Sequence, residues 1–328
     1  MIAENLHGTG GIIQERDETI AGFSELVADS PVFDWERGFD IRKKLGRELS
    51  VKDQGQSGSC GGQASSYLTE ALLDSAEASA RSVYNKCFVP SSGSSESGLM
   101  NTIINIGVDK EADTTSYENG NPPSEDFMRI ADSNPSFIRG LRPVYVETDF
   151  YSMATAILQN NGIIIGIGGQ NNGTWLSAEP KPPTKSEWNH WVYAGFAGMR
   201  NGKKCIGFKN SWGKEVGEGG WQYIYEDYEP YLFTAWSMVY NKKSKPVYKF
   251  TKSLAYGQSS SDIKALQDVL RFEGFFNNVS TGYFGPVTAT AVLAFQKKYK
   301  VSNDKELNSL QGKKVGPKTL QKLNELYN

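Results

Sequence analysis

Three short segments of this 328-residue chain carry side chains suited to one another: Gln54-Gly-Gln-Ser-Gly-Ser-Cys60, Asn189-His190 and Asn210-Ser-Trp212. A thiol attacks an acyl carbon only as the thiolate, and a free thiol is mostly protonated near neutrality. A helix amino terminus and a nearby imidazolium both lower its pKa. The chain holds two histidines, and His7 reads as part of a loose amino-terminal tail, so His190 is the partner left for Cys60. Asn210 can orient the imidazole without adding charge. Trp212, two residues on, can shield that hydrogen bond from water. The side-chain N–H of Gln54 and the backbone N–H of Cys60 can together receive an oxyanion, where one such donor contributes roughly 3 kcal/mol. Taken singly, each residue has a plainer role: an inert buried thiol, a structural imidazole, a turn asparagine, a core indole, a loop amide. Their joint occurrence is what points to acyl transfer.

The elements around these residues are legible as well. After Cys60, apolar positions 64, 67, 68, 71 and 72 follow helical spacing, which puts the cysteine at the start of a buried helix. Gly61 and Gly62 weaken its first turn but let a substrate chain come close. Ser91 to Gly98 reads as a Ser/Gly loop, Met100–Ile106 and Met153–Gln159 as helices. Gly162–Gly169, Trp191–Phe196, Lys204–Lys209 and Trp221–Tyr225 read as strands. The first half is thus helix-rich and the second an antiparallel sheet, an α+β arrangement. Residues 1–32 read as an extended arm with one short helix, 33–240 as the main domain and 241–251 as a polar linker. Residues 252–328 form a small helical module. Its helical stripes are Ile263, Leu266, Val269 and Leu270, then Ala291, Val292 and Phe295, then Leu320 and Leu323, with Ser261 or Asp262 capping the first helix. Phe284-Gly-Pro-Val-Thr288 is echoed by Val315-Gly-Pro-Lys-Thr319, each reading as a turn, a Thr cap and a helix start.

Composition narrows the class. A chain with 38% hydrophobic and 12% aromatic residues is globular. No apolar run approaches the roughly 20 residues of a membrane span, and Met1–His7 lacks the pattern of a signal peptide. From Lys242 to Asn328 there are 15 Lys and Arg against 6 Asp and Glu, which leaves 20 against 31 before it. A basic tail on an acidic body fits anionic material, although a solvated lysine-rich face would look the same. No nucleic-acid motif accompanies the charge. Three cysteines, Cys60, Cys87 and Cys205, are too few for a disulfide framework and lack metal-ligand spacing, so no metal or cofactor is expected. Cys87 and Cys205 read as small buried hydrophobes.

Residues 33 to 240 resemble the papain-like cysteine peptidases. His190 and Asn210 lie 130 and 150 residues after Cys60, the spacing of that family's site. Lys209-Asn-Ser-Trp-Gly213 with Gly217-Glu-Gly-Gly-Trp221 is similar to the segment around its asparagine. Asp34-Trp35 and Val51-Lys-Asp-Gln-Gly55 are similar to its opening. The resemblance implies a two-lobed fold, helical on one side and β-barrel-like on the other, and a Cys60–His190–Asn210 site assisted by Gln54. It also implies that Gly98, Asn189 and Trp212 line the substrate. Where the family has a disulfide cysteine, Ser57 stands, so that bridge is absent. Where an aromatic follows the nucleophile, Gly61 stands, which implies a more open cleft. The segment before Phe33 is shorter than the inhibitory prosegment of many relatives, so control by a long prosegment is not expected. Residues 252–328 resemble the small three-helix peptidoglycan-binding domain through Asp262-Ile-Lys-Ala-Leu-Gln267, Thr281-Gly-Tyr-Phe-Gly285 and Gly316-Pro-Lys-Thr319. Tyr283 is its candidate sugar-stacking aromatic, with packing the alternative.

The reading that follows is a monomeric bacterial cysteine endopeptidase acting on proteins or peptides, extracellular or wall-associated, held to peptidoglycan by its tail. The alternatives are a peptidoglycan stem-peptide hydrolase using the same residues, and a non-catalytic wall- or peptide-binding protein.

Overall fold

A computed structural model describes residues 7–18, 20–23, 32–73, 77–90, 93–131, 141–240, 246–276 and 280–328. The helix expected in the arm and the first half of the linker lie outside the described residues. The chain divides into two compact units, Met1–Asn241 and Lys242–Asn328.

The first unit is built on a seven-stranded antiparallel sheet. Its strands are β2 (Phe39–Asp40), β5 (Leu141–Val146), β6 (Ile163–Gly169), β7 (Trp188–Arg200), β8 (Lys203–Lys209), β9 (Trp221–Tyr225) and β10 (Leu232–Tyr240), in the order β5-β10-β6-β7-β8-β9 with β2 on β7. Three short strands stand apart: β1 (Gly11–Ile12), β3 (Phe88–Val89) and β4 (Gly93–Ser95), in the order β1-β4-β3. Alternation along β7 sorts its side chains between two cores. Trp191 and Tyr193 join one cluster with Tyr67, Leu68 and Trp236. Val192 and Ala194 join the other with Ile165, Phe208, Trp175 and Trp212. Such two-sided burial explains why the strands read as continuous apolar runs.

Helix α1 (Cys60–Leu73) packs on the first face, and all but its last two residues are buried. Its neighbours are α2 (Ala80–Cys87) and α3 (Glu96–Asn101). Close packing sets the glycine positions. A Cβ on Gly62 would stand 2.6 Å from the Ala80 carbonyl oxygen, and one on Gly61 2.3 Å from Ser94 Oγ. The space at Gly61 is therefore taken by β4 and Leu99, and it does not widen the cleft as the sequence reading had it. On the other sheet face lies α4 (Phe150–Asn160), capped by Asp149. Ser57 hydrogen-bonds to the Gln54 carbonyl and to Ser59 Oγ, both at 2.7 Å, and all three cysteines are free and buried.

The second unit holds a small core around Ile263, Leu266, Phe284, Phe295 and Leu323. The three expected helices are α5 (Ser261–Phe272), α6 (Pro286–Lys298) and α8 (Pro317–Tyr327). A further short helix, α7 (Asp304–Leu310), forms in the polar stretch before the last, capped by Asn303. Two capping expectations change. Ser260, one residue earlier than expected, caps α5 through its Oγ. Thr288 and Thr319 do not cap: Gly285 and Gly316 occupy the cap positions, and each Thr accepts a buried glutamine amide instead. Strands β11 (Leu254–Ala255) and β12 (Lys314–Val315) tie the two ends of the unit.

Candidate active site

Asn210 lies just past the end of β8 and His190 lies on the neighbouring β7. His190 Nε2 meets Asn210 Oδ1 at 2.9 Å. That oxygen also accepts the Ser211 N–H at 2.7 Å. Asn210 Nδ2 donates to Gln222 Oε1 at 2.7 Å, and Gln222 Nε2 donates to the Trp175 and Ser177 carbonyls. Carbonyl oxygens only accept, so the orientation of both amides follows. Asn210 must present oxygen to the imidazole, and His190 carries its proton on Nε2. Nδ1 is left as a lone-pair acceptor; it is buried and has no hydrogen-bond partner among the described residues. The Trp212 ring covers this pair, 4.8 Å from the imidazole between centroids. Gln222 was not identified from the sequence. Its signal is an amide at an inward position of an otherwise apolar, alternating strand.

Cys60 begins α1, as its spacing predicts. Backbone N–H groups of Trp191, next to His190, and of Gly10 are directed at its sulfur. Gln54 is fully buried, with its backbone N–H on the Ser211 carbonyl (2.9 Å) and its Oε1 accepting Ser211 Oγ–H (2.6 Å). Its Nε2 therefore points the other way, toward the arm, donating to the Ser57 carbonyl at 2.7 Å and the Gly8 carbonyl at 3.1 Å.

Gly8 belongs to the amino-terminal arm, which lies directly on the site. His7 stacks on Trp212 with centroids 5.0 Å apart and planes 13° apart. The Gly8 carbonyl accepts from Trp212 Nε1 (3.2 Å) as well as from Gln54, and the Gly8 N–H reaches the Gly55 carbonyl (2.9 Å). Ser94 N–H donates to the Gly10 carbonyl (2.9 Å), and β1 then pairs in parallel with β4, Gly11 opposite Ser94. The glycines make this approach possible. A Cβ on Gly8 would stand 2.0 Å from the Ser57 oxygen, one on Gly10 2.4 Å from the Gly58 oxygen, and one on Gly11 3.0 Å from His190 N. His7 is thus no part of a loose tail. Three glycines in His7-Gly-Thr-Gly-Gly11 were the available signal, read at first as flexibility.

Asn189 lies beside the arm, its Cβ near where a Gly11 side chain would be. Gly98 does not: it is inside α3, and its N–H is taken by the capping Ser95 Oγ at 3.2 Å. Backbone pairing with the arm is made by β4, three to five residues before Gly98, because Glu96 already begins a helix.

Burial under the arm sets the electrostatics. Desolvation pushes the Cys60 thiol up to about 12, against the backbone N–H groups that favour the thiolate. Desolvation brings His190 down to about 4; the bond to Asn210 opposes this and the nearby His7 adds to it. With both groups covered, burial favours the neutral thiol and the neutral imidazole. The sequence led us to expect a helix start and an imidazolium to lower the thiol pKa, but in this arrangement exclusion of water outweighs both.

Among the described residues no cluster of His, Cys, Asp and Glu is fit to hold a metal ion, and no helix is long and apolar enough to cross a membrane. In the second unit Tyr283 is half exposed on its turn.

Residues 36–242 match the family profile "Papain family cysteine protease", and residues 259–323 match that of a peptidoglycan binding domain. The fold is similar to that of xylellain, a cysteine protease from Xylella fastidiosa, at 20% identity over 71% of this chain and 96% of that one, TM-score 0.52. It is also similar to a digestive procathepsin L2 proteinase of the Tenebrio molitor larval midgut (19% identity, 71% and 78% covered, TM-score 0.55). A third likeness is to proCathepsin B S9 of Trypanosoma congolense (14%, 72% and 88%, TM-score 0.54). No curated protein matches the chain in sequence.

Proposed function

The chain belongs to the papain family of cysteine proteases, and we propose that it is an endopeptidase that cleaves proteins at Cys60 and is carried to the bacterial cell wall by its peptidoglycan-binding domain. The observation that carries this reading is the Gln222–Asn210–His190 relay, which fixes the imidazole with Nε2 protonated and Nδ1 free. A base with its accepting nitrogen unclaimed is what a thiol nucleophile needs.

Substrate takes the place of the arm. His190 Nδ1 accepts the thiol proton, and the Cys60 sulfur attacks the scissile carbonyl carbon. The carbonyl π pair moves onto oxygen, which Gln54 Nε2 and the Cys60 N–H receive. Gly8 supports this role for Gln54, because its carbonyl oxygen already sits on that amide. Collapse expels the amine, which takes the proton from His190 Nδ1. Water, deprotonated by the same nitrogen, then splits the thioester. Throughout, Nε2–H stays on Asn210, so the proton travels on one side of the ring only. Trp212 and Asn189 border the bound chain, and β4 offers its backbone N–H and carbonyl groups along the other edge, as it does to Gly10.

With the arm bound, Cys60 and His190 are sealed from solvent. The arm directs the Gly10 N–H at the sulfur. The working enzyme is therefore the one whose arm has been displaced.

Casein and purified sacculi as parallel substrates test the assignment. We expect wild-type protein to degrade casein and Cys60→Ala to be inert on both. Clearing of sacculi without casein hydrolysis would replace protein by stem peptide as substrate. The tail's peptidoglycan-binding match favours that second reading.

A further inference from the structure

Lys209 ends β8 one residue before Asn210, and the proposed mechanism makes no use of its ammonium. Its cross-strand neighbours are Tyr193 on β7 and Trp221 on β9. Both belong to the core cluster under α1. An inward position of that kind ordinarily takes an apolar residue, yet the lysine there is only 2% exposed. Its Nζ lies 5.5 Å from the centre of the Trp221 ring and donates to the Gly219 carbonyl at 2.7 Å. Burial brings its pKa down to about 8; Glu48 opposes this, Arg42 adds to it and Glu70 opposes it. A buried ammonium costs stability unless it is well paired, so filling the core does not by itself explain a lysine here.

The carbonyl that Lys209 holds belongs to a turn that also holds Asn210. Gly220, the next residue, accepts the Asn210 N–H at 2.8 Å. Two consecutive carbonyls of one turn thus receive donors from two consecutive residues at the end of β8. The turn has little stiffness of its own, because Gly217, Gly219 and Gly220 all have positive φ (61°, 63° and 89°). Its backbone bonds tie down its base. The Gly217 N–H meets the Leu176 carbonyl (3.0 Å), the Gly220 N–H meets the Val216 carbonyl (2.8 Å), and Glu218 and Trp221 bond to each other. Lys209 reaches the Gly219 carbonyl between them. Gln222 and the Ser211 N–H hold the Asn210 side chain; the turn holds the main chain from which that side chain hangs.

We propose that Lys209 is a positioning residue for the Cys60–His190–Asn210 site: its ammonium clamps the Gly219–Gly220 turn, and the turn sets where Asn210 presents its oxygen to His190. The lysine touches neither thiol nor imidazole and acts through Asn210 alone. The inference rests on the peptidase reading of that site and adds a residue on the far side of the orienting amide.

The test uses the full chain in two assays: steady-state kinetics on a chromogenic peptide, and nitrogen NMR of the His190 ring, with His7→Phe to tell the two histidines apart. Lys209→Met keeps the length of the side chain and removes the donor. We expect kcat to fall roughly ten-fold or more with KM within about two-fold, and the single Nε2-protonated signature of His190 to give way to a mixture of tautomers. Lys209→Arg supplies a cationic donor again and should bring kcat back to within about three-fold of wild type. Gly219→Val serves if Lys209→Met does not fold. A Cβ there meets nothing within 4 Å, but a β-branched residue disfavours a φ of 63°, so the turn shifts while Lys209 stays. The same kinetic pattern is expected. Unchanged kcat in both Lys209→Met and Gly219→Val overturns the proposal. So does a lower kcat with the His190 signature intact, a loss confined to KM, or a folded Lys209→Arg that recovers nothing. A wild type that cleaves no peptide, while Lys209→Met still alters the His190 signature, overturns the peptidase reading and supports the clamp. No cleavage with an unaltered signature overturns both.

Discussion

At the scale of single residues, the site is a chain of amides that ends in one free nitrogen. Gln222 and the Ser211 N–H together hold Asn210 with its oxygen toward His190. Gln222→Leu should remove one of these two contacts, leave Asn210 Nδ2 buried without its acceptor and loosen the hold on the imidazole tautomer. Leaving a buried polar group unpaired costs about 1–3 kcal/mol, so a roughly 10- to 100-fold loss in kcat is expected with little change in KM. A loss confined to KM would assign Gln222 to substrate binding instead. Gln54→Ala should lower kcat by about 10²–10³, the usual effect of removing one oxyanion donor. Steady-state kinetics on a chromogenic peptide separates these cases. Cys60, His190 and Asn210 stood out as candidates because their residue types are rare in combination, and the chain has only two histidines. Gln222 was not, since a glutamine in a strand announces nothing until its partner across the sheet is known.

At the scale of elements, the arm lies over the candidate site, and the proposed function requires it to move. Gly8, Gly10 and Gly11 lie against backbone with no room for a Cβ, so Gly10→Val should expel the arm and raise activity at neutral pH. Unchanged activity would mean that the arm does not limit access. Acid should act in the same direction. His190 is held near 4 in the covered site against an ordinary 6.5, and His7, stacked on Trp212, is also lowered by burial, with Asp53 opposing. A lowered imidazole pKa means that the covered state binds fewer protons than the open one. Its stability is complete above about pH 6.5 and is lost as pH falls towards 4, by on the order of 3 kcal/mol for His190 alone. Hydrogen exchange at Gly8 and Gly10, corrected for the intrinsic rate, should therefore accelerate between pH 6.5 and 4.5, and less so in His7→Phe. Slower corrected exchange in acid would reverse the sign of this linkage. The sequence could not disclose the arm's position. A glycine-rich tail reads as flexible unless the surface it fits is already in view. The error at Gly98 has the same origin, because helix α3 begins two residues before it and the pairing strand was masked as a Ser/Gly loop.

At the scale of the whole molecule, two compact units share one chain. Tail deletion after residue 245 should abolish sacculus binding and leave casein hydrolysis within about two-fold. Because all three cysteines are free, the melting temperature should not change with reductant, and a reductant-dependent shift would require a bridge that the fold does not contain. The layered α+β order was readable from periodicity, since strand and helix stripes are local. The turn before α8 was not: it carries positive φ at both Gln311 and Gly312, where the turn before α6 has it at Gly282. The account as a whole rests on Cys60 and His190 forming a competent pair that the arm conceals. The most direct measurement is the rate at which an irreversible epoxide cysteine-protease inhibitor modifies the protein, with the adduct located by mass spectrometry. Modification should be slow in the intact chain and at least ten-fold faster once residues 1–12 are removed. It should be confined to Cys60 and lost in His190→Ala. An adduct on Cys87 or Cys205, or a Cys60 that stays unreactive after the arm is gone, would contradict it.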